Sequence, residues 1–142
     1  MSTTTNKMQR LMALNGALVL LIGFIAGGMI AAVYTGSVPG STQGWTLAHM
    51  EGVTNSLVLF AIAGVLPSVV SSITIQSWIA WPLIVMAYCN TVFGWMRAVA
   101  GAEGYVFNDS LANNVRTAAG MLGVPLGLIA LGLLIRATWC AA

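Results

Sequence analysis

Charged residues are scarce in this chain. Of its 142 residues, 6% are charged and 58% are hydrophobic, whereas about a quarter of the residues of a soluble globular domain carry a charge. Water is therefore not expected to be its main solvent. The five lysines and arginines leave a net charge of +2 and form no patch that could neutralise a phosphate backbone. Nucleic acid is excluded as a partner.

Cysteine and histidine are also rare. Cys89 and Cys140 lie in or beside apolar segments without a CxxC spacing, which argues against a disulfide framework and against a zinc site. We expect both to be free thiols. His49 is the single histidine of the chain, so any role for an imidazole falls on this residue.

Long apolar stretches fill most of the sequence. A helix needs about 20 apolar residues to cross about 30 Å of hydrocarbon, where lipid cannot satisfy exposed backbone groups. Four stretches are long enough: residues 11–34, 47–70, 75–95 and 118–135. We predict an all-α integral membrane four-helix bundle, forming a single domain over residues 1–142.

The segments between the spans contain turn-forming residues. A stretch rich in glycine and serine follows the first span at 35–41, and a short connection from Pro67 to Ser72 follows the second. Its brevity predicts that spans two and three form an antiparallel hairpin. The apolar run after Lys7 and Arg10 is about twice the usual length of a signal-peptide core, so we interpret it as a retained span.

Basic residues in the flanks predict the orientation. Lys7, Arg10 and Arg136 fall on one side, and Arg97 and Arg116 fall on the other, where Glu103 and Asp109 accompany them. The excess on the first side places both termini in the cytoplasm.

Glycines recur at helix-packing spacing in the first and fourth spans. In lipid, close backbone approach supplies the association energy, so these positions are expected to mark helix contacts within or between subunits. The five tryptophans lie near span ends, where anchoring or packing is favoured over cofactor stacking. The glycines are Gly23, Gly27, Gly28, Gly120, Gly123 and Gly127.

The start of the second span carries the most informative cluster, His49, Glu51 and Asn55. Ionisable residues are costly in a membrane, so they are functional candidates by default. His49 is either a haem ligand or an interfacial histidine hydrogen-bonded to a neighbouring helix. Glu51 and Asn55, four residues apart, predict a hydrogen-bonded pair. His49 and Asn55 point about 120° apart and cannot both face one small cavity.

The third span carries a second polar cluster at residues 88–91. Tyr88, Thr91 and Trp95 share one helix face, with Asn90 on the next. In the predicted hairpin this cluster can approach Glu51 and Asn55, or its polar groups can simply satisfy one another. The loop at residues 97–116 is either a cap over the site or a solvated connection.

Several short motifs lie between residues 38 and 93: Val38-Pro39-Gly40-Ser41, Gly44-Trp45, Ala48-His49, Asn55, Leu66-Pro67, Asn90 and Phe93. Together these residues resemble the styrene oxide isomerase family, small four-span membrane proteins of bacterial aromatic degradation. The resemblance implies a homotrimer in the bacterial inner membrane, with haem b between protomers and His49 as its axial ligand. It further implies that ferric iron polarises the oxygen of a small hydrophobic epoxide, so that a 1,2-shift gives an aldehyde or ketone.

The resemblance and the polar clusters together give the expected site residues. An intersubunit haem would let His49 of one protomer and Asn55 of the next face the same cofactor. Two departures stand out, since the family's tyrosine falls on Gly94 and its aspartate on Met86. The expected catalytic residues are Asn55, Tyr88 and Asn90. The expected cofactor-binding residues are His49, Trp45, Gly52 and Phe93, and His49 is also the expected metal ligand.

Two other functions are compatible with the residues. A haem-bearing electron carrier or sensor would use the same fold, although one histidine per chain disfavours bis-histidine ligation. A small proton-linked transporter would use Glu51 and need no haem. The absence of internally repeated halves weakens the transporter hypothesis.

Overall fold

Four long helices make up the computed structural model, which describes residues 5–70, 72–101 and 105–140. The helices are α1 (Thr5–Tyr34), α2 (Thr42–Val69), α3 (Ile73–Ala100) and α4 (Leu111–Trp139). All four are long and apolar enough to cross a bilayer. The predicted all-α membrane fold is confirmed. Ser71 in the predicted turn and Glu103 in the predicted loop lie outside the described residues.

Helix boundaries follow local capping chemistry. Ser41 and Ser110 precede α2 and α4, and their hydroxyls accept the backbone N–H of Gly44 at 3.3 Å and of Asn113 at 3.4 Å. Gly101 ends α3 in the left-handed conformation, with φ of 61°, which glycine adopts without a steric penalty.

The fourth helix corrects one prediction. It begins at Leu111, well before the predicted Ala118, so Arg116 is a helical residue rather than part of the loop. Arg116 is only 3% exposed, because its guanidinium packs on aromatic rings. A hydropathy criterion places a buried arginine outside the span although the helix includes it.

The helices pack around α3, which contacts all three of the others, while α1 lies along α2 and α4 packs on α3. One apolar core, containing Met12, Leu59 and Leu83, lies toward one end of the bundle. A second, around Trp45 and Ala48, lies toward the other. The polar residues of α2 between Ala48 and Leu59 separate these two cores.

Glycines make the helix contacts that their spacing predicts. A Cβ on Gly23 of α1 would lie 3.0 Å from the Cα of Gly52 on α2. A Cβ on Gly123 of α4 would lie 3.0 Å from the Cβ of Cys89 on α3. Gly28 is the exception, since a Cβ there would meet nothing within 4 Å. Both cysteines are free thiols, as expected.

Candidate functional site

His49 lies on the flank of α2 that faces α1. Its Nδ1 is 2.9 Å from the carbonyl oxygen of Gly23, and Phe24 stacks beside the ring with centroids 6.4 Å apart. A carbonyl oxygen only accepts, so Nδ1 carries a hydrogen, and the neutral form of the ring has its lone pair on Nε2. The hydrogen bond that the second interpretation of His49 predicts is therefore present. In the neutral ring it leaves Nε2 available as a ligand, so it is compatible with both interpretations.

Glu51 and Asn55 form the pair that their spacing predicts. The Nδ2 of Asn55 donates to the backbone carbonyl of Glu51 at 2.7 Å and to its carboxyl Oε2 at 3.1 Å. On α3, the Nδ2 of Asn90 donates to the Oδ1 of Asn55 at 3.0 Å. The polar clusters of spans two and three therefore meet, as the hairpin allows.

This network defines the orientation of both amides. The backbone carbonyl of Glu51 only accepts, so Asn55 must present its Nδ2 to Glu51 and its Oδ1 to Asn90. Asn90 then donates its own Nδ2 and retains an acceptor. That acceptor, the Oδ1 of Asn90, lies 3.1 Å from the place of a Cβ on Gly123 of α4. The network thus runs from α2 across α3 to the surface of α4.

The two predicted functional faces of α2 are separate. His49 faces α1, whereas Asn55 faces α3 and is 5% exposed. Met50 and Thr54, which fall between these two faces on the outer side of the helix by its periodicity, are exposed. Within one protomer His49 and Asn55 therefore do not converge, in agreement with their angular separation on the helix.

Tyr88 lies on a different side of α3 from Asn90. Its hydroxyl donates to the Oδ1 of Asn15 on α1 at 3.0 Å. Residues two apart on a helix point about 200° from each other, so Tyr88 does not join the Asn55–Asn90 pair. It lines a groove of about 290 Å³ together with Ile22, Thr91, Val92, Trp95 and Met96.

Trp45 and Gly52 make packing contacts inside the protomer. Trp45 is 5% exposed and meets Trp95 edge to face at 5.2 Å between ring centroids. Gly52 lies where α2 crosses Gly23 of α1. Neither contact tests the cofactor-binding role that the resemblance assigns to these two residues.

Phe93 lies on the α4 side of α3, beside a buried cation. The guanidinium carbon of Arg116 is 4.2 Å from the centre of the Phe93 ring and 5.4 Å from that of Tyr105. Tyr105 also stacks on Phe93 at 5.3 Å. Arg116 was expected only as a loop residue. The small and polar face formed by Asn113, Arg116, Thr117 and Gly120 is nevertheless a signal for a packed helix surface.

The two departures from the expected pattern have packing explanations. A Cβ on Gly94 would lie 2.9 Å from the Cα of Ala48, so α2 and α3 cross where the resemblance expects a tyrosine. Met86 lies against Gly127 of α4, filling the space that a side chain there would need. A tyrosine at position 94 is incompatible with this helix packing.

Comparison with known proteins identifies one family. A protein-family model described as styrene oxide isomerase matches residues 8–139, nearly the whole chain. No curated protein matches the sequence. The family match covers α2, α3 and α4 completely and α1 from residue 8 onward.

Proposed function

Because this chain belongs to the styrene oxide isomerase family, we propose that it is a membrane isomerase that converts an epoxide to an aldehyde or ketone with haem b held by His49. The hydrogen bond between His49 Nδ1 and the Gly23 carbonyl carries the cofactor assignment. In the reaction a C–O bond of the epoxide opens and a substituent migrates with its electron pair to the neighbouring carbon, so no atom or electron is gained or lost.

The protein donor set suits a porphyrin better than a bare ion. Among the residues that the structure describes, no three His, Cys, Asp or Glu side chains come together as a metal site. A haem would supply most of the iron ligands itself and would need only one donor from the protein. His49 offers one through Nε2, and its Nδ1–H has the carbonyl partner that orients metal-binding imidazoles.

The bound cofactor would supply a Lewis acid for the epoxide oxygen. The chain's own part is to orient the substrate and keep water away, since water would convert the opened epoxide to a diol. Asn55 and Asn90 are suited to orientation because their amides are held by each other and by Glu51. Apolar helices and lipid around them limit access for water.

An oligomer would bring the two flanks of α2 together at one site. His49 lies on one flank and Asn55 on the other, so a ring in which the first flank of each protomer meets the second flank of its neighbour would bring them to one cofactor. Such head-to-tail interfaces close into cyclic oligomers. We propose a homotrimer in the bacterial inner membrane, with both termini cytoplasmic and a small hydrophobic epoxide arriving through lipid.

Detergent-purified protein from haem-replete cells tests both parts of the proposal. We expect a Soret band that disappears in His49→Ala, and conversion of an aryl epoxide to its aldehyde without added reductant. A protein without the band would end the cofactor assignment. Production of a diol, or no turnover across a panel of epoxides, would count against the reaction.

A further inference from the structure

The ring of His49 packs against two glycines of α1, Gly23 and Gly27. Helix axes usually pack 8–10 Å apart, and small residues permit closer approach. A Cβ on Gly23 would lie 3.0 Å from the Cα of Gly52 and 3.1 Å from the backbone nitrogen of Val53. This close crossing brings the backbone of α1 within reach of a side chain on α2, and the Gly23 carbonyl meets His49 Nδ1 at 2.9 Å.

Gly27 lies directly against the His49 ring. A Cβ at this position would lie 3.0 Å from His49 Nδ1, 3.3 Å from Cε1 and 3.6 Å from Cγ. The imidazole therefore covers the space that an alanine methyl group would occupy. At the next residue, Gly28, a Cβ would meet nothing within 4 Å. Two adjacent glycines of one helix thus differ in whether they contact the ring.

We propose that Gly23 and Gly27 are positioning residues for His49, holding it as the Nδ1–H tautomer with Nε2 directed away from α1 toward the cofactor. This inference rests on the proposed haem function. A helical carbonyl has a second lone pair beyond the one used inside the helix, so Gly23 can serve His49 without breaking α1. Glycine at 27 leaves room for the ring to lie close enough to use it.

The hydrogen bond has an electronic consequence for a ligated histidine. A partner on Nδ1–H raises the basicity of the metal-binding nitrogen, and loss of such a partner typically weakens metal affinity by about 10–100-fold. A more basic imidazole stabilises ferric over ferrous iron, which lowers the midpoint potential. Ferric iron is also the stronger Lewis acid, so the hydrogen bond to Gly23 would favour the oxidation state that the proposed reaction needs.

Gly27→Ala and Gly28→Ala form a matched pair for testing this inference. Both add one methyl group to adjacent positions of α1, but only the first contacts the ring. In the haem-loaded protein we expect Gly27→Ala to raise the midpoint potential, lower the iron–histidine stretching frequency of the ferrous form and weaken haem retention at least about tenfold. Gly28→Ala should match the wild type in all three.

The wild-type protein provides a measurement that does not depend on how Gly27→Ala folds. The proposal expects a slowly exchanging, hyperfine-shifted Nδ1–H proton of the ligated imidazole in the NMR spectrum of the ferric protein. Rapid exchange of that proton, or equal behaviour of the two alanine variants, would overturn the inference and leave the haem assignment intact. A wild type without a Soret band would instead overturn the proposed function itself.

Discussion

Asn90 on α3 donates its side-chain amide to the Oδ1 of Asn55 on α2 at 3.0 Å. The other end of the Asn55 amide is held by Glu51 through its backbone carbonyl and its carboxyl group. Every polar atom of Asn55 therefore has a partner inside a region that is largely apolar, where an unsatisfied amide would cost about 1–3 kcal/mol. The network is both a helix-to-helix contact and the best-oriented pair of amides in the proposed site.

The carboxyl group of Glu51 is expected to act by accepting a hydrogen bond from the Asn55 amide. Glu51→Gln retains an oxygen acceptor, so its turnover should stay within a few-fold of wild type. Glu51→Leu removes the acceptor, and we expect turnover to fall about 5- to 30-fold, corresponding to roughly 1–2 kcal/mol of lost orientation. Epoxide turnover in haem-matched samples measures both. If Glu51→Gln were as impaired as Glu51→Leu, the carboxylate itself would be required and a proton-linked role would gain support.

Asn90 and Tyr88 should behave differently because they face different sides of α3. Asn90→Leu leaves the Oδ1 of Asn55 without its donor, so we expect a turnover loss of tenfold or more with the Soret band retained. Tyr88→Phe removes only the hydrogen bond to Asn15 and should lower thermal stability slightly while preserving turnover. Steady-state kinetics and thermal unfolding separate these outcomes. A severe kinetic defect in Tyr88→Phe would support the catalytic role that is expected of Tyr88 from the sequence.

The crossing of α2 and α3 at Gly94 should tolerate no larger residue. An alanine Cβ would press on the Cα of Ala48, a backbone atom that cannot move aside alone. We expect Gly94→Ala to destabilise the protein by about 1–3 kcal/mol, as overpacking does. Gly64→Ala is the control, because a Cβ there meets nothing within 4 Å and alanine favours helix. Equal melting temperatures for the two variants would contradict the packing described here.

Phe93 is expected to stabilise the α3–α4 contact through Arg116. Phe93→Leu removes the ring that lies 4.2 Å from the guanidinium carbon and the stacking on Tyr105. We expect a loss of about 1–3 kcal/mol in the free energy of unfolding. Phe107→Leu, at a residue that is 57% exposed, should change stability little. Thermal unfolding in detergent compares them, and a Phe93→Leu variant as stable as Phe107→Leu would argue against the contact.

The sequence predicted those parts of the structure that depend on strong or local physical rules. Lipid leaves a backbone few alternatives to a helix, so the four spans were readable from hydropathy alone. The Glu51–Asn55 pair and the divergence of His49 from Asn55 follow from helical periodicity. The contact of His49 with Gly23 was not predictable in detail, because it depends on how closely α1 and α2 cross.

The burial of Arg116 is a feature that the sequence did not predict. Its charge placed it in a loop by hydropathy, yet the helix begins at Leu111 and the guanidinium is covered by Phe93 and Tyr105. Burial of a cation depends on partners that lie far away in sequence, which a window of neighbouring residues cannot register. The separation of Tyr88 from Asn90 was available from periodicity, although both residues were expected to belong to one site.

Mixed oligomers test whether His49 and Asn55 of neighbouring protomers share one site. His49→Ala and Asn55→Leu are each expected to be inactive as homo-oligomers. If each site takes His49 from one protomer and Asn55 from the next, random assembly of the two variants in equal amounts restores both residues at about one quarter of the interfaces of a cyclic oligomer. Co-expression with two affinity tags and sequential purification would isolate the mixed species.

We expect that mixed species to recover epoxide turnover, with a Soret band between those of the two parents. Size-exclusion chromatography of each parent variant would establish that inactivity does not reflect failure to assemble. If both residues served a site within one protomer, no subunit of the mixture would carry an intact set and activity would remain at the level of the parents. That outcome would conflict with the placement of His49 and Asn55 on opposite flanks of α2, since within one protomer these residues do not converge. Recovery of turnover by the mixed species would place the exposed residues Met50 and Thr54, which lie between the two flanks, at the contact between subunits.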